Sequence, residues 1–228
     1  MGSAVRVQIY TAQSAAEATA LAGLGVDHVG VTPAHVGLPG EVDDDDAAEI
    51  CDALKGITTS VALSVETDLN AIEEMVQTVG PDILHLCGPP GAVAPRAVAA
   101  LRRRLPRTAI MQAVAVSGPE AIDVARAYAP VADFLLLDSL APGIPGVGAA
   151  GVVHDWQVSA AIVADVQVPV VLAGGLSPDN VGEAITTVEP WGVDSLTHTN
   201  RRLTDEDFRK DLELVERFVA AAHDDGAS

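Results

Sequence analysis

The sequence predicts an α/β protein built as a single (β/α)₈ barrel spanning residues 1–228. Short β-rich apolar runs alternate eight times with segments of helical period, the pattern of right-handed βαβ units that build a parallel sheet. The length of 228 residues suits a compact barrel, whose usual size is about 250. A doubly wound sheet is the competing fold, but Thr11-Ala12-Gln13-Ser14 stands after the first strand where G-x-G-x-x-G would be needed. No Walker pattern and no linker rich in Pro, Gly or Ser divides the chain.

The first strand covers residues 5–10 and leads into helical period over 14–24. A second strand at 28–31 precedes a helix over 45–54. The run Asp43, Asp44, Asp45 and Asp46 opens that helix, where carboxylates favour the positive end of the helix dipole. Four adjacent Asp also look like a hard-cation site, but nothing converges on them from elsewhere. Strands at 59–64, 83–86 and 109–116 are followed by helices at 69–79, 94–103 and 119–128. The sixth strand, 134–138, enters the one long connection, 139–154, before a helix at 156–163. After the seventh strand, 168–173, Ser177-Pro178 reads as a cap followed by Pro at the first helical position, ahead of helical period over 180–187. The eighth strand, 193–197, leads to a last helix over 205–222, with Thr204-Asp205-Glu206-Asp207 as its cap and acidic first turn.

Composition narrows the class of protein. Thirteen Lys and Arg stand against 32 Asp and Glu, a net charge of −19 that disfavours nucleic acid and anionic membranes, both of which need a basic footprint. No apolar run approaches the roughly 18 residues of a membrane span, and the first residues carry no signal-peptide pattern. Cys51 and Cys87 cannot build a disulfide scaffold and match no zinc spacing. Only Lys55 and Lys210 are lysines, and the acids are mostly Asp, a composition that resembles salt-accumulating halophiles. These readings predict a soluble cytoplasmic protein.

In a barrel the chemistry sits at the carboxyl ends of the strands. Asp138 ends Phe134-Leu135-Leu136-Leu137, so a carboxylate stands at an apolar lip, where desolvation suits it to proton transfer near neutrality. Gly174-Gly175 follows the seventh strand, where glycines let backbone N–H groups approach a phosphate. A tight turn without ligand is the alternative there. The glycine-rich stretch 143–151 either folds over a substrate or is a plain loop. His85 lies inside a strand as a candidate core residue, while His35 and His198 fall at strand-end loops, better placed to touch substrate. Cys87 is the one thiol near the predicted rim, with no Lys or Arg near it in sequence to activate it. No His pair has metal-ligand spacing, so no metal is expected. Lys55 precedes the third strand and Lys210 falls in the predicted last helix, which argues against Schiff-base chemistry.

Several motifs then coincide in one order. Leu135-Leu136-Leu137-Asp138-Ser139 is followed by a loop ending His154-Asp155-Trp156. Leu172-Ala173-Gly174-Gly175-Leu176-Ser177-Pro178-Asp179-Asn180-Val181 comes next, and Gly192-Val193-Asp194-Ser195 last. This resembles the phosphoribosylanthranilate isomerase family of tryptophan biosynthesis, most strongly over residues 132–195. The resemblance implies an Amadori rearrangement of a phosphorylated aminosugar, without cofactor, on a barrel that is a monomer or homodimer. It implies Asp138 as general acid, and a phosphate cradle from Gly174-Gly175, the glycine loop (Gly148, Gly151) and the loop with Thr197-His198; His35 is a further substrate contact by its strand-end position alone.

The chain departs from the family pattern at several positions. Where the family's first strand ends in K-I-C-G, whose Cys is the base, Gln8-Ile9-Tyr10-Thr11 puts Tyr10 at that place. The S-P-R of the second loop, whose Arg meets the anthranilate carboxylate, is matched to Thr32-Pro33-Ala34. Q-L-H-G becomes His85-Leu86-Cys87-Gly88, G-G-T-G becomes Gly148-Ala149-Ala150-Gly151, and S-G-V-E becomes Thr197-His198-Thr199-Asn200. Tyr10 is the candidate at the base position, though a phenol is a poor base at neutral pH unless strongly perturbed, and Cys87 or His35 are the groups that could reach the C2 proton instead. The alternative is a diverged relative, either a barrel lyase or isomerase on another phosphorylated substrate or a non-catalytic ligand-binding protein.

Overall fold

A computed structural model of the protein describes residues 4–139, 147, 153–204 and 207–224. Gly148 and Gly151 lie outside the described residues. The chain forms β1 (Arg6–Tyr10), α1 (Ala15–Gly23), β2 (His28–Val31), α2 (Asp44–Leu54), β3 (Thr59–Ser64), α3 (Leu69–Val79), β4 (Ile83–Leu86) and α4 (Pro95–Arg104). It continues through β5 (Ala109–Ala115), α5 (Ala121–Tyr128), β6 (Phe134–Asp138), α6 (Trp156–Asp165), β7 (Val170–Leu172), α7 (Val181–Val188) and β8 (Gly192–Ser195). A short 3₁₀ turn, Thr197–Thr199, leads to β9 (Asn200–Arg202), β10 (Phe208–Lys210) and α8 (Leu212–His223). Strands β1 to β8 pair in parallel in sequence order, and β8 returns to β1 with Gln8 opposite Asp194, closing the barrel.

Alternation along each strand sorts side chains between two cores. Outward residues such as Val7, Ile9, Val29, Leu84, Leu135 and Leu137 meet the helices. Inward residues Tyr10, Val61, Ile83, Met111, Leu136 and Val171 fill the barrel. One floor of the interior is aromatic: the rings of His28, Phe134 and Trp191 lie 5.3–6.1 Å apart. Burial lowers His28 to about 4, so it sits there as a neutral imidazole whose Nδ1 donates to Gln8 Oε1 at 3.2 Å. Among the described residues, no helix is long and apolar enough to cross a membrane.

Helix starts follow side-chain chemistry. Asp43 caps α2 by accepting from the Asp46 N–H at 2.8 Å. At α7 the cap is Asn180, three residues beyond the predicted Ser177. Asn180 Oδ1 accepts from the Ser177 N–H, and its amide donates to the Gly175 carbonyl, so Ser177-Pro178 forms the turn before the helix.

The predicted last helix starts too early. Asp207 closes a turn, and Phe208–Lys210 pairs antiparallel with Asn200–Arg202. The hairpin is tied to α1 and the turn before it, since Gln13 Nε2 donates to the Phe208 carbonyl and the Lys210 N–H donates to Glu17. The effective cap is Asp211, which accepts from the N–H groups of Glu213 and Leu214. Lys210 is consequently a buried strand residue behind the end of β8. Its ammonium donates to the Leu196 carbonyl at 3.2 Å and to Asn200 Oδ1 at 2.6 Å, which fastens the loop after β8.

Candidate active site

Asp138 closes β6 at the mouth of the barrel and is 8% exposed. Burial pushes its carboxyl up to about 7, while the Ser139 N–H, donating to Oδ1 at 2.6 Å, pulls the other way. Beside it the chain turns through Gly174 and Gly175, both left-handed at φ +83° and +66°. A Cβ on Gly174 would lie 2.8 Å from His154 Nδ1, 2.9 Å from Ser139 Oγ and 3.2 Å from Asp138 Oδ1. Only glycine fits this approach. His154 Nε2 bonds Ser159 Oγ at 2.8 Å, and burial lowers the imidazole to about 4, so it is a neutral brace for the turn.

A second carboxyl shares the mouth. Asp194 on β8 is 7% exposed, and Gln8 Nε2 donates to its Oδ1 at 3.0 Å. Burial first, and the charge of Asp138 second, raise it to about 7, with Gln8 and the Lys210 charge opposing. Lys210 is itself lowered to about 7 by burial, against the pull of Glu17 and Asp194. Asp138, Asp194, Gly174, Gly175, Thr197 and His198 line one narrow cleft of about 20 Å³, room for a single water. Thr197 and His198 are exposed at its outer edge.

The expected base positions are less open. Tyr10 is buried on β1, its hydroxyl 3.0 Å from His85 Nδ1. Burial, then the charge of Asp194, pushes the phenol well above its ordinary value. Burial lowers His85 to about 3, so it is the neutral core histidine that its strand position suggested. Cys87 is buried, and its thiol donates to the Val147 carbonyl. Burial, with the charge of Asp138 second, raises that thiol far above the reactive range. His35 stands exposed on the loop after β2 and lines neither the cleft nor its neighbouring cavity.

That cavity, about 780 Å³, opens beside the cleft and shares Leu196 and Thr197 with it. Residues 37–40 after β2 form one wall; Asn200, Arg202, Asp207 and Phe208 of the hairpin form the other. Arg202 is the one cation among these lining residues. Asp207 is already paired with Arg209 at 3.1 Å. Sequence reasoning missed Asp194 and Arg202: the first is one residue of a strand motif whose inward direction depends on the barrel register, and the second belongs to a hairpin the sequence does not predict.

A closed parallel barrel, with two buried carboxyls and a glycine turn converging on one mouth, is the arrangement of a barrel built to move protons. Its family is shown by comparison. The family model for N-(5'-phosphoribosyl)anthranilate (PRA) isomerase matches residues 7–197, and the chain belongs to that family. The N-(5'-phosphoribosyl)anthranilate isomerase of Haloferax volcanii is 34% identical over 220 residues, covering 95% of this chain and 92% of its own. That of Haloarcula marismortui is 33% identical over 218 residues, covering 95% of each. Among solved structures, phosphoribosyl anthranilate isomerase from Thermococcus kodakaraensis is similar at a TM-score of 0.76 and 27% identity, covering 96% of this chain and 99% of that one.

Proposed function

We propose that this protein catalyses the Amadori rearrangement of N-(5'-phosphoribosyl)anthranilate, the reaction named for its family, as one cytoplasmic (β/α)₈ domain in tryptophan biosynthesis. The observation that carries this reading is Asp138: a carboxyl held at about 7 by burial, at the barrel lip, against a turn that only glycine permits. A group with that proton affinity can protonate the ring oxygen of an aminoaldose near neutral pH and release the open-chain imine. The rearrangement is redox-neutral and moves only protons, so it asks for no cofactor. Gly174 and Gly175 present backbone to the substrate phosphate, with Thr197 and His198 at the cleft's outer edge.

The aryl end belongs in the larger cavity. Leu38, Pro39, Leu196 and Phe208 give it apolar walls, and Arg202 supplies a cation for the anthranilate carboxylate. The loop between β2 and α2 holds no Lys or Arg, so that loop cannot supply it. The acidic surface and the haloarchaeal relatives support a protein adapted to high salt.

The test is to follow loss of anthranilate-type fluorescence with fresh substrate in about 2 M KCl, a salt level suited to so acidic a surface. Turnover by the wild type that Asp138→Asn abolishes is expected. A folded wild type without turnover overturns the reading and directs the search to other phosphorylated ligands.

A further inference from the structure

We propose that Asp194 is the base of this barrel, taking the C2 proton across the cleft from Asp138; the inference rests on the isomerase reading above. Asp138 and Asp194 stand on β6 and β8, separated by β7 alone, and both side chains line the same narrow cleft. Each is more than nine-tenths buried, so the cleft presents two carboxyls to whatever enters and little water. Gln8 is the one hydrogen-bond partner of the Asp194 carboxyl among the described residues, and it holds Oδ1. Oδ2 is left open to a ligand.

The other groups near the mouth are committed elsewhere. The Tyr10 hydroxyl is bonded to His85, and the Cys87 thiol to the Val147 carbonyl. His154 is braced between Ser139 and Ser159. A base at the end of β1 is therefore missing, and β8, a neighbour of β1 in the barrel, carries the Asp194 carboxyl that lines the cleft.

The surroundings of Asp194 favour the required proton distribution. Burial first, then Asp138 on β6, raises it, while the Gln8 hydrogen bond from β1 and the charge of Lys210 on β10 favour the ionised form. Tyr10 on β1 and Cys87 just after β4 feel its charge and keep their protons. His198 lines the same cleft. When Asp138 is protonated its repulsion vanishes and Asp194 ionises more readily, so the pair settles with one proton between them, one acid and one base.

The step balances. Asp138 gives its proton to the ring oxygen as the C1–O bond breaks and the nitrogen lone pair forms C1=N. Asp194 takes the C2 proton; the C–H pair becomes C1=C2, and the C=N electrons return to nitrogen. The enol then gains a proton at C1 and loses the one on its C2 oxygen, giving the ketone with no oxidant or reductant.

The experiment measures turnover and its pH profile for the wild type, Asp194→Asn and Asp194→Ala, with added formate. Asp194→Asn retains the acceptor for Gln8, so its thermal melt checks that the fold survives. The expected loss in kcat is on the order of 10²–10⁴-fold, with KM nearly unchanged and the ascending pH limb gone. Formate restores part of the Asp194→Ala rate in proportion to its concentration, which a purely structural role would not produce. Asp194→Asn within tenfold of the wild type, or an inactive Asp194→Ala that formate does not restore, overturns the proposal while the isomerase reading stands. A folded wild type without turnover overturns both.

Discussion

The ring of Tyr10 occupies the space in which any side chain at position 30 would have to stand: a Cβ built on Gly30 falls 2.3 Å from two of its ring carbons. The aromatic at the end of β1 is thus matched by the absence of a side chain on β2, directly opposite in the parallel register. The two positions form one packing unit. Gly30→Ala should lower stability by about 1–3 kcal/mol, the usual cost of overpacking a filled interior. Tyr10→Ala opens a cavity by itself, but combined with Gly30→Ala it should recover part of the loss, a non-additivity read by thermal melts of the four proteins. Additive losses would separate the two residues.

The raised carboxyls make a prediction about stability that runs opposite to activity. Asp138 and Asp194 both rise from 3.8 to about 7 on folding. The unfolded chain releases these protons first as pH climbs, so each group's contribution falls between its unfolded and folded values. Below that window both states are protonated and the penalty disappears. Stability contributed by these two sites should therefore decline from about pH 4 to about pH 7, by a few kcal/mol at most for each. Asp138→Asn should melt higher than the wild type at pH 7.5, yet turn over no substrate. Equal melting temperatures across that window would show that Asp138 is not held protonated.

The phosphate end is tested through linkage. Inorganic phosphate that binds the folded barrel alone raises its melting temperature, by about 2.7 kcal/mol of stability at one hundred times its dissociation constant. Gly174→Ala should remove this response. Its methyl would press on His154, Ser139 and Asp138, and its backbone would be held at φ +83°. A wild type indifferent to phosphate would take the anion away from this turn.

How far the sequence reached follows the range of each interaction. Period and turn chemistry are local, so the eight units were legible, and Asp138 followed from one rule about strand ends. The last helix was misplaced because Thr204–Asp207 carries the same local chemistry as a cap. What decided against it was distant, namely the bonds from Gln13 and Glu17 to β10. Asp194 was hidden for a similar reason. Its inward direction depends on the register of β8 against β1, where it meets Gln8, 186 residues away in sequence. The pairing of Tyr10 with His85, 75 residues apart, was equally invisible, and it turns a candidate base into a buried hydrogen-bond partner.

Arg202 gives the sharpest test of how this chain holds the aryl end of its substrate. It lines the larger cavity opposite residues 37–40, and its guanidinium has no hydrogen-bond or ion-pair partner among the described residues, its backbone alone pairing with Phe208. An unpaired guanidinium costs nothing to redirect toward a ligand carboxylate, and Phe208 beside it offers a ring for the arene. Since that contact is made equally in ground and transition states, its loss should fall on binding. Arg202→Ala should raise KM by roughly 10-fold or more, the worth of a charge-assisted hydrogen bond at about 1.5–3 kcal/mol, while kcat stays within a factor of about three. Phe208→Ala should act in the same direction, with a smaller effect. Steady-state kinetics with the carboxylated substrate and its phenylamine counterpart make the assignment specific, because Arg202→Ala should penalise only the former. An equal penalty on both would assign Arg202 to shaping the hairpin.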